Sequence, residues 1–527
     1  MAKTVTTSRA LVRNTFFNLL MLMSNAIVAF LLAPFLLGQF GESATGVWIL
    51  IGSVFRYRII LGMGLNSAIN RRIPMYLAKD DEEGVRKVVS TALFFFTIIA
   101  VVLAILTFLL YVKIGDWFAI PPELVGTASM LVLVVGLCFA LSTPLQLTTA
   151  VLSGLQRYDM VSITTLVVLT LRTALTVILL LRGYGVVTLG LIYGLSEIVA
   201  RGTQHVLARR LLPAGYLSWQ NVDRTLLKEM LFYGMNTFLY AMGALIIYRA
   251  SETMIGIFFP PERVTEFSYA AMGVLLLSEF LQAFTAAIKP AVSDLDARDD
   301  HSRVKQIAFL TQKYSLLILI PAACFLIVMG REFLTVWVGA KFNDPTIIQS
   351  MATVLAILTA GFCFILSQHS NFLVLAGRGE HKVFGILTAV EAVLCVSSAI
   401  FSVKVLRWGL EGIAWSNFVP MALVAGIIIP IYFNRKMKIA ALDSVTHVWW
   451  PAILGSIPSV AIVILWKYLS PPDSWREVFA VVAVTGAATV IFSWFLSLED
   501  TERKRLRRVL GRGRSKPAAE SVHIPAQ

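Results

Sequence analysis

The stretch Val88-Val-Ser-Thr-Ala-Leu-Phe-Phe-Phe-Thr-Ile-Ile-Ala-Val-Val-Leu-Ala-Ile-Leu-Thr-Phe-Leu-Leu-Tyr-Val112 contains no charged residue. It is long enough to cross a bilayer as a helix, which takes about 20 mostly apolar residues. The whole chain of 527 residues is similar: 57% of its residues are hydrophobic, 14% are charged, and the mean hydropathy is +0.77. Soluble domains are roughly 45–50% apolar and about 25% charged. The composition therefore excludes a disordered chain, a disulfide scaffold and a soluble enzyme.

Fourteen comparable stretches follow one another, from Asn14–Leu37 to Glu477–Leu496. They predict an all-α polytopic membrane protein with about 14 transmembrane helices. The four cysteines lie inside these stretches at spacings that fit neither a zinc site nor a disulfide framework. The sequence contains no catalytic constellation and no nucleotide-binding loop, so we expect no metal site, no cofactor and no enzymatic activity.

The distribution of basic residues predicts the orientation. With both termini in the cytoplasm, 31 of the 45 Lys and Arg residues fall on the cytoplasmic side, 9 fall outside and 5 lie within spans. This asymmetry follows the positive-inside rule. The net charge of +14 is therefore interpreted as a topological signal rather than a nucleic-acid footprint.

An internal repeat indicates two lobes. The segment Ser67–Asp81 aligns with Ala286–Asp300, and the identical residues include the two aspartates that end each segment. Both copies follow an even-numbered span, so they would face the same side of the membrane. This favours two parallel six-helix lobes with a binding site between them; the alternative is two unrelated charged loops. The predicted division is a first lobe over 1–211, a cytoplasmic linker over 212–229, a second lobe over 230–435, two further helices over 436–498, and a basic cytoplasmic tail over 499–527.

Several short motifs resemble those of bacterial polysaccharide transporters. They are Phe35-Leu-Leu-Gly-Gln-Phe-Gly41, Gly64-Leu-Asn-Ser-Ala-Ile-Asn-Arg71, Ser251-Glu-Thr-Met-Ile-Gly256 and Val336-Trp-Val-Gly339. The likeness covers about residues 14–435. It is to the multidrug/oligosaccharidyl-lipid/polysaccharide (MOP) superfamily, of which the O-antigen (Wzx-type) flippases are members. In one respect the sequence departs from the family, because Gly62 stands where an acidic residue is common.

The resemblance implies a function. Such a protein, in the bacterial inner membrane, would flip a polyprenyl-pyrophosphate-linked oligosaccharide from the cytoplasmic to the periplasmic leaflet. Its partners would be the lipid-linked oligosaccharide, membrane lipids and the polymerase and chain-length machinery. Transport would draw on a proton or sodium gradient.

Charged side chains inside the predicted spans are the candidate site residues. A charge at the bilayer centre costs at least about 2.5–3.5 kcal/mol, so each needs a partner or a water-accessible cavity. Four arginines are the predicted substrate-binding residues, because guanidinium groups are natural counter-charges for a pyrophosphate. They are Arg56, Arg58, Arg172 and Arg249.

The arginines have structural alternatives. Arg56 and Arg58 point about 200° apart on a helix, so both cannot face one cavity. We favour Arg56 as the cavity residue, with Arg58 either pairing with an acid on a neighbouring helix or extending its head group to the membrane surface. For Arg172, the alternative to lining the cavity is an ion pair with a glutamate such as Glu279. Arg249 has an acid within reach on its own helix, at Glu252.

Three glutamates, Glu252, Glu279 and Glu391, are predicted either to pair with these arginines or to couple transport to an ion gradient. A further pair, Glu197 and Arg201, has the i,i+4 spacing of a local ion pair. Among the polar residues, Asn18, Asn25, Asn236 and Gln282 occupy positions from which they could contact sugar hydroxyls.

Two other functions fit the composition. A drug exporter of the same superfamily would have the same fold but would favour an acidic cavity for cationic substrates. A membrane polysaccharide polymerase or ligase would need a large external loop, and the longest predicted one, near Lys113–Glu123, is short.

Overall fold

The computed structural model describes residues 8–62, 64–212, 219–342, 344–380 and 382–504, together with Arg507. Within these ranges the regular structure is entirely helical, with twenty α-helices and no strand. The fold class predicted from the sequence is confirmed: an all-α polytopic protein built from two lobes and two additional C-terminal helices.

The first lobe contains eight helices: α1 (Ser8–Arg56), α2 (Arg58–Leu61), α3 (Leu65–Leu77), α4 (Glu82–Trp117), α5 (Pro122–Ser142), α6 (Gln146–Gly154), α7 (Tyr158–Leu181) and α8 (Val186–Arg209). The second lobe contains nine: α9 (Arg224–Phe258), α10 (Pro261–Thr285), α11 (Ile288–Asp296), α12 (His301–Val328), α13 (Gly330–Val338), α14 (Pro345–Gly377), α15 (Lys382–Lys404), α16 (Leu410–Leu423) and α17 (Ile429–Met437). The chain ends with α18 (Ala441–Ser444), α19 (Trp450–Leu469) and α20 (Trp475–Leu496).

Thirteen helical stretches in the described residues are long and apolar enough to cross a membrane. The first of them, Leu20–Leu61, contains two of the fourteen predicted spans. It is broken at Gly41, whose φ of 70° and ψ of −177° lie outside the helical region. A side chain would strain this conformation, so glycine allows one helix to turn directly into the next.

Some predicted boundaries differ from the structure. The ninth of the fourteen apolar stretches is Tyr314–Val338, which the sequence predicts as one span, but α12 ends at Val328 and the separate short helix α13 follows. The break lies at Met329, whose ψ of 16° departs from helical geometry. Helix α9 begins at Arg224, within the predicted linker. Residues 213–218 of that linker and most of the predicted basic tail lie outside the described residues.

The two aligned segments have the same local structure. Each ends in a tight turn with a left-handed aspartate, Asp80 at φ 53° and Asp299 at φ 55°. The next aspartate then caps a long helix: Asp81 accepts from the backbone N–H of Gly84 at 2.8 Å, and Asp300 accepts from that of Arg303 at 3.2 Å. Hydrogen bonds from Ser302 and from this N–H hold the pKa of the Asp300 carboxyl below its ordinary value.

We call the end of the bundle that holds these two turns the α3–α4 end, and the opposite end the α4–α5 end. At the α4–α5 end the lobes touch through backbone groups. Thr265 donates to the carbonyl of Glu42 at 2.7 Å, and Tyr269 donates to that of Ala33 at 2.6 Å. A Cβ on Gly46 would lie 1.8 Å from the carbonyl oxygen of Pro261. The lobes are therefore closed against each other at this end.

The α3–α4 end is closed as well. Arg72 of α3 forms an ion pair of 2.6 Å with Glu229 of α9. Beside it, Gly64 and Gly234 touch through their backbones, because a Cβ on Gly234 would lie 2.0 Å from the Cα of Gly64. Gly64 also has a φ of 63°, which disfavours any other residue. Only glycine at both positions allows α3 and α9 to approach this closely.

We expect Gly234→Ala to prevent closure of the α3–α4 end, because the added methyl group would have to displace backbone. Protein abundance should stay normal. A cysteine placed at Ser278, in a chain whose native cysteines are replaced by alanine, should react faster with a membrane-impermeant thiol reagent added from the α3–α4 side. Gly202→Ala is the matched control, since a Cβ there meets nothing within 4 Å. Unchanged reactivity of this cysteine in the Gly234 variant would contradict the closure.

A buried ion pair connects the C-terminal helices α19 and α20 to the second lobe. Lys313 of α12 lies 2.7 Å from both carboxylate oxygens of Glu502, just beyond α20. The Lys313 and Glu502 side chains are 3% and 8% exposed. Lys313 also donates to the carbonyl of Ser497 at 3.3 Å. The additional helices therefore dock on α12 through a specific polar contact.

Candidate functional site

The candidate charged residues named in the sequence analysis form two groups. One group lies within the first lobe and contains Arg58, Arg172, Glu197 and Arg201. The other lies where α1 meets the second lobe and contains Arg56, Arg249, Glu252 and Glu279, with Glu391 farther inside.

The first-lobe group is a network around one acid. The predicted i,i+4 pair forms, with Arg201 3.6 Å from Glu197. Arg58 approaches the same carboxylate at 3.8 Å and stacks on the ring of Phe139, with its Cζ 4.0 Å from the ring centroid. Arg58 thus has an acidic neighbour on another helix, which is one of the two outcomes that the sequence left open for it.

Arg172 does not form the ion pair with Glu279 that was the alternative for it. Its guanidinium instead lies over the ring of Tyr193, with the Cζ 4.7 Å from the centroid. Tyr193 packs edge-on against Phe139, the ring on which the Arg58 guanidinium stacks. The two arginines are therefore held on one aromatic cluster of the first lobe. A substrate contact by either remains a prediction.

The second group joins the two lobes. Arg249 of α9 pairs with Glu252 at 3.5 Å, so the predicted i,i+3 contact forms. Arg56, the last residue of α1, makes no hydrogen bond or ion pair with any described residue. It is close enough to Arg249 and Glu279 for their charges to interact. Two arginines from different lobes thus share one region, and one of them has no bonded partner among the described residues.

A cavity of about 400 Å³ opens beside this group. It lies between α9, α10, α14 and α15, and Leu22 of α1 borders it from the first lobe. Its polar and aromatic lining residues are Tyr240, Tyr248, Arg249, Ser278, Glu279, Gln282, Gln368, His369, Phe372, Phe384, Thr388 and Glu391. Three of the candidate residues, Arg249, Glu279 and Glu391, therefore line one cavity.

Glu391 has an unusual environment. Its side chain is 2% exposed, and its Oε1 has no hydrogen-bond partner in the described part of the chain. Buried polar atoms are nearly always hydrogen-bonded, so an orphan acceptor facing a cavity calls for a functional explanation. A proton, a cation or a ligand donor would satisfy it.

Of the four polar positions, Gln282 lines the cavity and donates to Ser278 at 3.0 Å, and Ser278 in turn contacts the Tyr248 hydroxyl at 3.2 Å. Asn25 instead donates to the carbonyl of Met21 on its own helix. The side chains of Asn18 and Asn236 lie outside the described residues.

The sequence analysis did not identify eight of these lining residues, namely Tyr240, Tyr248, Ser278, Gln368, His369, Phe372, Phe384 and Thr388. One signal was available: Tyr240, Ala244 and Tyr248 are four residues apart and mark one face of α9. Which way that face points depends on packing. No cluster of three or more metal-ligating side chains occurs among the described residues.

The side chains of the site can bind a polar or anionic ligand. Guanidinium groups at the lobe boundary can bind an anion, and the adjoining cavity offers amides, hydroxyls and aromatic rings. The ends of the bundle are closed on both sides of it. Alternating separation of the two ends would expose this region to one side of the membrane at a time.

Comparisons with known proteins identify the family of the chain. Residues 46–346, more than half of the sequence, match the model of a family described as polysaccharide biosynthesis protein. A search of the curated proteins finds no match.

Solved structures share the fold at low identity. The lipid II flippase MurJ, in an inward closed conformation, matches 94% of this chain over 100% of its own, with a TM-score of 0.68 and 15% identity. An inward-facing multidrug resistance MATE family transporter matches 81% over 99% of its own, with a TM-score of 0.60 and 17% identity. A MOP superfamily transporter from Pyrococcus furiosus, described as having a binding pocket of reverse polarity, matches 81% over 95%, with a TM-score of 0.59 and 17% identity. The chain thus belongs to the polysaccharide biosynthesis protein family and has the fold of MOP superfamily transporters, as its motifs predicted.

Proposed function

We propose that this protein flips a polyprenyl-pyrophosphate-linked oligosaccharide from the cytoplasmic to the periplasmic leaflet of a bacterial inner membrane, for cell-surface polysaccharide biosynthesis. The observation that carries the proposal is that Arg56 and Arg249, from different lobes, lie within electrostatic range of each other, and that Arg249 also lines a cavity with several polar groups. A pyrophosphate between the lobes would find a guanidinium on each side. The family match and the fold shared with a lipid II flippase support this class of substrate.

The physical requirement is to shield the head group from hydrocarbon. A pyrophosphate and its sugars cannot cross lipid unaided, because every unpaired polar group there costs several kcal/mol. The polyprenyl tail has no such requirement and can stay in the bilayer. The protein then needs to supply only an anion site and a polar cavity, and we propose no catalytic role for it.

Coupling to a gradient would require a group whose charge changes during the cycle. We propose Glu391 for this role, since its buried carboxylate faces the cavity and its Oε1 has no partner in the described chain. A proton or a sodium ion could serve. Glu252 is instead bonded to Arg249, and Glu279 lies within electrostatic range of Arg249 and Arg56.

Reconstitution gives the direct test. Vesicles containing the purified full-length protein should move a fluorescent polyprenyl-pyrophosphate-linked N-acetylglucosamine between leaflets faster than protein-free vesicles. In cells, deletion should leave complete lipid-linked oligosaccharide on the cytoplasmic face. Single repeat units on the periplasmic face would instead indicate a missing polymerisation step and exclude the flippase. Partners in the polymerase and chain-length machinery would act after this step.

The orientation that the function requires can be measured separately. Reporter fusions at Asp81, Leu217, Asp300 and Arg512 should read cytoplasmic, and fusions at Gly115 and Asn343 should read periplasmic. Asp81 and Asp300 lie in equivalent turns at the α3–α4 end, so they must report the same side. Opposite signals from these two would contradict the parallel arrangement of the lobes.

A second function is favoured by one observation. The cavity contains two carboxylates, Glu279 and Glu391, beside aromatic rings, and such a lining suits a lipophilic cation. A gradient-driven exporter of cationic compounds would therefore fit the second lobe. Uptake of tetraphenylphosphonium into the same vesicles, abolished by Glu391→Gln, would support it.

A further inference from the structure

We infer that the cavity between α9, α10, α14 and α15 is a subsite for a neutral or amino sugar of the substrate head group. The pyrophosphate would remain at the lobe boundary with Arg56 and Arg249. This inference rests on the proposed function and adds to it a preference among sugars that the arginines alone cannot supply.

Size and position fit a sugar ring. A volume of about 400 Å³ falls within the roughly 300–1,000 Å³ of small-molecule sites. Arg249 is itself a lining residue, so the cavity adjoins the proposed anion site. The sugar attached to the pyrophosphate would be the first group to reach it.

One wall of the cavity is aromatic. Tyr240 stacks on Phe372 with ring centroids 3.8 Å apart and planes 10° apart, and Phe384 lies 5.2 Å from Phe372. All three side chains line the cavity. A pyranose ring has an apolar face of C–H groups and a rim of hydroxyls, so it can pack one side on such a wall.

Polar groups that can form hydrogen bonds with the hydroxyls of the sugar lie on the neighbouring helices. Gln282, Ser278 and Tyr248 form a chain of contacts along one side. Glu391 offers a buried Oε1 with no partner among the described residues, and Thr388 is one turn before it on α15. A hydroxyl or amine donor from a sugar would satisfy this acceptor, whose desolvation is otherwise uncompensated.

The charge of the lining decides which sugars fit. Two carboxylates face the cavity, and its arginine, Arg249, is already paired with Glu252. A uronic acid would bring a third carboxylate into this space, and like charges brought together in a partly buried site repel strongly. A neutral sugar meets no such penalty, and an amino sugar would gain from the carboxylates.

Binding to the full-length protein in nanodiscs tests the subsite with three probes that share one prenyl chain. They are the bare prenyl pyrophosphate, the same lipid bearing N-acetylglucosamine, and the same lipid bearing glucuronic acid. We expect N-acetylglucosamine to raise affinity at least about 10-fold over the bare lipid, since several hydrogen bonds form together. Glucuronic acid should give no increase.

Two variants assign the effect to the cavity. Thr388→Val and, separately, Tyr248→Phe should each remove about 3- to 10-fold of the sugar-dependent increase, while affinity for the bare lipid stays unchanged. Tyr468→Phe on α19, where Tyr468 is 82% exposed, is the matched control. Using two variants covers the case in which one fails to fold.

The outcomes separate the two proposals. If the bare lipid binds but sugar adds nothing, or if glucuronic acid binds as well as N-acetylglucosamine, the subsite is overturned and the proposed function stands. If neither the bare lipid nor a sugar-bearing lipid binds, the proposed function fails. Binding of tetraphenylphosphonium that depends on Glu391, without a sugar effect, would overturn the subsite in favour of a site for lipophilic cations.

Discussion

Arg56→Ala should abolish polymer export while protein abundance stays normal. Arg56 has no bonded partner in the described chain, so its removal leaves no buried charge stranded. A hydrogen bond to a charged group contributes about 1.5–3 kcal/mol, and losing one should weaken pyrophosphate binding by roughly 10- to 150-fold. Arg56→Lys should recover part of the export, because it keeps the charge but loses the planar fork. Export and abundance are measured together in cells lacking the native gene.

Arg249 needs a different set of variants, because it forms an ion pair with Glu252. Arg249→Ala would leave the buried Glu252 without its counter-charge, so abundance should fall together with export. The double variant with Glu252→Gln should restore abundance and leave export defective. Arg298→Ala, at a 71% exposed position, controls for loss of positive charge. Normal export by both Arg56→Ala and the double variant would remove the basis of the anion site.

Lys313→Ala should destabilise the folded protein by about 3–5 kcal/mol, because it leaves Glu502 buried without a counter-ion. The loss should appear as a lower unfolding temperature in detergent and as lower abundance in the membrane. The double variant Lys313→Met with Glu502→Leu should recover most of the stability, since apolar residues of similar volume often replace a buried ion pair without loss.

A surface pair provides the comparison. Arg298 and Asp294 lie 3.0 Å apart, but their side chains are 71% and 62% exposed. Exposed pairs contribute about 0–1 kcal/mol, so Arg298→Ala should change stability little. Equal effects at both sites would mean that the contact of Lys313 with Glu502 does not hold the C-terminal helices in place.

The membrane-crossing helices could be predicted from the sequence because their signal is local. A run such as Val88–Val112 is apolar all round and cannot remain in water, whatever surrounds it. Breaks within helices were predicted unevenly. The sequence separates two spans around Gly41, where Gln39, Glu42 and Ser43 interrupt the apolar residues, and the structure breaks the helix there. The end of α12 at Val328 was not predicted, because the surrounding stretch Tyr314–Val338 is uncharged apart from Arg331 and Glu332.

The contacts of the site also divide into those that are local in sequence and those that depend on helix packing. Contacts one turn apart, such as Arg249 with Glu252, follow from helical spacing and could be predicted. The pairing of Arg58 with Glu197 joins helices far apart in sequence, and it depends on how α2 and α8 are rotated. The gathering of Tyr240, Gln368 and Glu391 in one cavity depends on three helices at once. Residue type identified the candidates, but only packing could group them.

Helix α9 has a consequence for how the protein is made. Its first turns pack in the core of the first lobe, where Leu226 and Met230 are buried with Leu65 and Val88. The helix also packs extensively on α15 of the second lobe. The core of the first lobe is therefore incomplete until the chain has been synthesised past Met230. A nascent chain ending at residue 211 would expose an unfilled apolar surface, so the two halves should assemble interdependently during insertion rather than one after the other.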